Sequence, residues 1–188
     1  DAPAAAGTLE RLWRQLIADL DVADARTESA RSRWPGWLAL GIALSMVIGG
    51  AQLLTGWFSV RSCLRRSRPL ADPQLIAVIE VLQRDLGLNR SVAVRESDDL
   101  TCAATVGSRS PVILLPPEWR SWSPQELRAV LAHELAHVAA GDARTWLIAQ
   151  VGLLLHFYHP LVHWLAQRLR LEQELAADAV AARLTGSS

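Results

Sequence analysis

The sequence predicts an α+β domain preceded by one transmembrane helix. Three observations lead there: a long uncharged apolar run, a set of short strand-like runs between turn residues, and a well-capped helix bearing His-Glu-x-x-His. The chain has 188 residues, of which 51% are hydrophobic, with 19 basic and 19 acidic side chains in balance. Mean hydropathy is +0.16, which is apolar for a wholly water-soluble domain. A formal net charge of zero removes the electrostatic argument for a nucleic-acid partner. Every basic residue is arginine, a compositional feature without mechanistic content. Cys63 and Cys102 match no zinc or redox spacing. The chain begins at Asp1 and stops at "LTGSS", so it reads as a piece of a longer protein.

The division expected along the chain is 1–33, 34–60 and 61–188. In "LERLWRQLIADL" (9–20), Leu9, Leu12, Trp13, Leu16, Ile17 and Leu20 share one helical stripe, with Thr8 as its cap. A polar linker follows, through residue 33. From Trp34 to Val60 there is no charged residue. About 20 apolar residues suffice to cross a bilayer, and Trp34, Trp37 and Trp57 sit where interfacial anchors belong. Gly41, Ser45 and Gly49 form a small-residue stripe suited to packing against another helix. Arg61, Arg65, Arg66 and Arg68 follow the span and outnumber Arg31 and Arg33 before it. The positive-inside rule therefore places residues 61–188 in the cytoplasm, beside what would be a bacterial inner membrane.

The next helix is expected over "ADPQLIAVIEVLQRDLGL" (71–88). Asp72 caps it, Pro73 suits its first turn, and Gly87 ends it. "SVAVRE", "TCAATVG" and "PVILLP" then read as strands of a small sheet. Ser123-Pro124-Gln125-Glu126 is a capping box, and Gly141 is placed to stop the helix that it starts. His133 and His137 lie one turn apart on that helix and can reach a common ion, with Glu134 beside them. Zinc needs a third protein ligand and leaves a position for water. Glu174 and Asp178, four apart on a second expected helix, can provide it: Glu174 on the metal, Asp178 accepting a hydrogen bond from a ligand imidazole. Glu172 is the rival carboxylate, on another face. Asp142 either caps the following helix or serves the site.

"SRSPVILLP", "VLAHELAHVAAGDA" and "FYHPLVHWLAQRLRLEQELAADAVAA", in that order, resemble the membrane metallopeptidases of the BlaR/MecR beta-lactam sensor type over residues 70–184. "ELAAD" after HExxH also resembles the HtpX and CAAX-prenyl-protease type, the second choice. The resemblance implies a zincin-like (gluzincin) fold with His133, His137 and Glu174 on Zn2+, Glu134 as general base, and Asp178 behind the ligands. Two positions depart from the first family: His159 where Asn often precedes Pro160, and Ala177 where Cys is frequent. No antibiotic-binding sensor domain is present in the sequence, so antibiotic sensing does not carry over. The expected function is a membrane-anchored zinc endopeptidase in regulatory or signalling proteolysis, acting on a protein or peptide; the alternative is a non-catalytic membrane scaffold that keeps the fold.

Residues 145–167 are uncharged if histidine is neutral. One complete crossing there would put Glu174 across the bilayer from His133 and His137. The stretch is therefore either a core helix broken near Pro160 or a segment that enters the membrane and returns, and the broken helix, peripherally membrane-associated, is favoured. His159 and His163 are expected to be core or interface residues. Tyr158 and His159 are the candidates for stabilising an oxyanion. The substrate is expected to lie along an edge strand, with "PVILLP" the first choice.

Overall fold

A computed structural model of the chain describes Arg14, Gln15, Ile17, Ala18 and residues 34–186. The four isolated residues are helical; the rest of the amphipathic stretch 9–20, its Thr8 cap and the linker lie outside the described residues. Helix α1 runs from Trp34 to Arg66, past the end of the apolar run at Val60. Arg65 and Arg66 in its last turn suit the negative end of the helix dipole. By length and composition the helix can cross a membrane, and its apolar side chains are not packed inside the protein. The chain divides into two compact units within this helix, between Leu44 and Ser45, and the sheet and the later helices belong to the second.

After α1 come β1 (Arg68–Pro69), α2 (Pro73–Asp85), β2 (Ala93–Glu96), β3 (Ala104–Val106), β4 (Val112–Leu115), a 3-10 turn (Pro117–Ser121), α3 (Pro124–Ala140), α4 (Asp142–Leu155) and α5 (Pro160–Thr185). The local signals hold. The Asp72 carboxylate accepts from the amides of Gln74 and Leu75 at 2.9 and 3.1 Å. Ser123 and Glu126 close the capping box at both ends. Gly141 stops α3 in the left-handed region, at φ 75°.

The sheet order is β1-β2-β4-β3, with β2 and β4 parallel and the other pairs antiparallel. Leu75, Ile79 and Leu82 of α2, Ile113 and Leu115 of β4, and Leu131 and Leu135 of α3 form the buried core. This order corrects the expected substrate strand. "PVILLP" supplies β4, an interior strand paired on both sides, and the edge beside α3 is β3. The run's apolarity reflects burial of Ile113, Leu114 and Leu115, not an exposed edge.

The expected break near Pro160 is present: α4 ends at Leu155 and Pro160 opens α5. The core placement does not hold, because no residue of α4 is buried. Uncharged composition alone does not distinguish a helix inside a protein core from one with apolar side chains facing outward. His159 and His163 are likewise exposed rather than in the core.

Candidate metal centre

Helix α3 is anchored by its buried Leu131, Ala132 and Leu135 face, which leaves His133 and His137 half-buried on another side. Helix α5 packs chiefly on α3 and brings Glu174 opposite them. The two imidazole Nε2 atoms are 3.1 Å apart, and Glu174 Oε2 lies 3.6 Å from that of His133 and 3.9 Å from that of His137. Metal–ligand bonds of about 2.0–2.1 Å at tetrahedral angles imply ligand separations of about 3.3–3.4 Å. The three atoms therefore stand near the spacing one zinc ion requires.

The remaining ring nitrogens strengthen that fit. His133 Nδ1 is 2.9 Å from Asp178 Oδ1, and His137 Nδ1 is 2.6 Å from Asp142 Oδ2. Each carboxylate accepts a hydrogen bond from the N–H at Nδ1, so each Nε2 presents a lone pair. Two lone pairs facing one another at 3.1 Å repel unless a positive charge lies between them. Within the described residues, His133, His137 and Glu174 are the cluster able to hold a metal ion. Glu172 is elsewhere, paired with Arg168 at 2.7 Å one turn away on α5.

Asp142 is the residue that sequence reasoning left undecided. It opens α4 without capping it through its side chain, and it holds His137 instead. Its second oxygen accepts from Gln173 Nε2 at 3.0 Å, which ties α3, α4 and α5 together behind the cluster. Spacing could not find this contact, since Gly141 reverses the chain between the two partners.

Glu134 is buried, and its Oε2 accepts a hydrogen bond from Thr105 Oγ1 at 2.7 Å. Thr105 belongs to edge strand β3, so the carboxylate is fixed against the strand that borders the site. Sequence reasoning did not reach Thr105, because an isolated threonine in a strand carries no signal. Gly107, at φ 88°, turns the chain from β3 to β4, and an added Cβ would sit 2.7 Å from the Ser110 carbonyl oxygen. Arg90 holds this turn to the end of α3 by donating to the carbonyls of Ser108 and Val138.

A cavity of about 1170 Å³ opens beside the cluster. Glu134, His137, Glu174 and Thr105 line one side, and Trp57 of α1 and Trp146 of α4 are among the apolar residues of the other. Tyr158 and His159, the expected oxyanion candidates, are exposed at the α4–α5 turn and do not line it; His163 does.

Residues 10–187 match the family described as BlaR1 peptidase M56. The chain belongs to that family. Its fold is therefore zincin-like, a mixed helix and small-sheet domain following an apolar helix. Among curated relatives, it is 24% identical to Regulatory protein BlaR1 of Bacillus licheniformis over 107 residues, covering 57% of this chain and 18% of that protein. It is 33% identical to a Protease HtpX homolog of Syntrophobacter fumaroxidans over 113 residues, 56% of this chain and 38% of the relative. Protease HtpX of Pseudomonas entomophila is 29% identical over 116 residues, 59% of this chain and 39% of the relative. The chain thus spans well under half the length of these relatives. Both resemblances expected from the sequence are found.

Proposed function

We propose that the chain is the catalytic part of a membrane-anchored zinc endopeptidase in regulatory or signalling proteolysis. His133, His137 and Glu174 are its metal ligands, Glu134 its general base, and Asp178 and Asp142 the carboxylates that orient the two imidazoles. The observation that carries this reading is the close approach of three ligand atoms whose histidines are each held from behind. Membership of a peptidase family supports the reaction class.

Zinc, when bound, would act as a Lewis acid, polarising the scissile carbonyl and lowering the pKa of the attacking water so that it can yield a proton. The chain's own residues do the rest. Glu134 takes a proton from the attacking water as its oxygen bonds to the carbonyl carbon, and returns that proton to the departing amine nitrogen as the C–N bond breaks. Thr105 keeps one carboxylate oxygen in place and leaves the other for this exchange. The substrate adds as a further strand on the outer edge of β3, which recognises backbone rather than particular side chains. The arginines after Val60 favour the cytoplasm for this domain, since acidic neighbours such as Asp98 and Asp99 count little in that rule.

Zinc content per chain tests the reading. In detergent-purified protein the wild type should hold about one zinc, as a single three-ligand site implies, and Glu174→Ala should lose most of it. Glu134→Gln should keep the zinc and lose cleavage of an unfolded casein. Well-folded wild type without zinc, or undiminished cleavage by Glu134→Gln, would refute it.

A further inference from the structure

We propose that the α4–α5 hairpin is a re-entrant membrane element, dipping into one leaflet and setting the metal centre at the bilayer surface. The occupant of its outer face is lipid hydrocarbon. Leu147, Ile148 and Leu155 of α4 and Leu161, Trp164 and Leu165 of α5 are all at least half exposed, at 51–72%. From Thr145 to Gln167 no Asp, Glu or Arg interrupts this surface. Arg144 precedes it, and Arg168 and Arg170 follow, where lipid phosphates would meet them.

Length decides between crossing and returning. At about 1.5 Å per residue the 14 residues of α4 reach about 21 Å, short of a hydrocarbon layer about 30 Å thick. The chain must also come back, because Glu174 of α5 lies 3.6 Å from His133 of α3.

Depth follows from one contact. An added Cβ on Gly49 would sit 2.7 Å from Leu154 Cδ1, so α1 and α4 touch there. Gly49 lies near the middle of the Trp34–Val60 run, which places Leu154 near the bilayer midplane. Counting back toward water, Gly49 to Arg61 and Leu154 to Asp142 are equal stretches, each about 18 Å of helix. That is slightly more than half the hydrocarbon thickness of about 30 Å. Val60 of α1 and Gly141 and Asp142 line one cavity, so the two stretches run to the same side; Arg61 and Asp142 reach the headgroups together, and Asp142 carries His137 with it.

The tip keeps part of its polar backbone paired within itself. Three of its amides are used within the turn: His156 N–H donates to the Gly152 carbonyl, His159 N–H to that of His156, and Val162 N–H to that of His159, at 2.9, 2.9 and 3.0 Å. His163 Nε2 donates to the Phe157 carbonyl at 2.7 Å. Irregular backbone at membrane depth requires such internal partners. An ordinary exposed turn, with water at hand, does not.

The test uses nitroxide labels on the protein in phosphatidylcholine–phosphatidylglycerol vesicles, in a background of Cys63→Ser and Cys102→Ser. Leu155→Cys and Leu161→Cys report the hairpin, Leu54→Cys the bilayer and Glu80→Cys water. Collision with oxygen should be high at the hairpin labels and at Leu54. Collision with a water-soluble nickel chelate should fall there about tenfold or more below Glu80, because a hydrated polar complex is costly to bring into hydrocarbon. Ile148→Cys and Leu165→Cys give a second pair on the same arms should either first label disturb folding. Hairpin labels that behave like Glu80 beside a lipid-like Leu54 overturn the proposal alone. Hairpin labels shielded from both reagents overturn it too, since protein then covers the face. A water-like Leu54 overturns the membrane anchoring of the proposed function as well.

Discussion

Removing Asp142 should weaken zinc binding more than removing Asp178, although both carboxylates meet an imidazole of the proposed metal site. The Asp142–His137 pair is closer, at 2.6 Å, and its carboxylate side chain is only 18% exposed. The Asp178–His133 pair is 2.9 Å long, and Asp178 is 70% exposed. A shielded charge-assisted hydrogen bond keeps most of its strength, whereas water screens the exposed one and replaces it when it is lost. Loss of such a partner typically costs about 10–100-fold in metal affinity, about 1.4–2.7 kcal/mol. Asp142→Ala should lie in that range, and Asp178→Ala near threefold, about 0.6 kcal/mol, as for exposed pairs. Gln173→Ala, which frees the second Asp142 oxygen without touching a histidine, should fall between them. Competition against a chromophoric chelator at pH 7.5 reads each affinity, with circular dichroism as the check on folding. If Asp178→Ala weakens zinc as much as Asp142→Ala in folded protein, burial does not set the ranking and the reasoning fails.

Two further outcomes rest on other contacts. Thr105→Val keeps the strand's shape but removes the donor to Glu134; casein cleavage should lose about tenfold in kcat, from a hydrogen bond to a charged group worth about 1.5–3 kcal/mol. KM and zinc content should stay the same and Thr105→Ser should recover most of the rate; zinc loss in Thr105→Val would instead make the contact structural. Glu96, buried at the end of β2, is held below the ordinary glutamate range by the Trp119 indole N–H, helped by the Arg120 guanidinium and opposed by desolvation. A lowered folded pKa stabilises above the unfolded value and is lost as pH falls through the folded one. Urea unfolding at neutral pH should therefore find wild type more stable than Glu96→Gln, with the gap closing below the unfolded glutamate value of about pH 4.3. A gap that persists unchanged at lower pH would assign the effect to packing.

How far the sequence could be read depended on how local each signal was. Asp72, Ser123, Glu126 and Gly141 act within a few residues of themselves, and each cap or stop appears where its chemistry predicts. His133, His137 and Glu174 could be named together from HExxH and a carboxylate-bearing helix downstream, and the fold brings their ligand atoms to one place. Thr105 could not, and Asp142 stayed undecided, since Thr105 lies 29 residues from Glu134 and Gly141 reverses the chain between His137 and Asp142. The two misplaced elements fail for a shared physical reason. The sequence suggests an edge strand for "PVILLP" and a core helix for α4, yet β4 is the buried strand and α4 is the helix facing outward. Apolarity measures how much a segment gains by leaving water, and it does not say what replaces the water. For β4 the replacement is α2 and α3. For α4 the contact between Gly49 and Leu154 supplies the missing information, because it sets an apolar helix of unknown surroundings against one long enough to cross a membrane. What the sequence left ambiguous for α4 is thus a question of depth, and a single helix contact turns it into a length that labels along the two arms can measure.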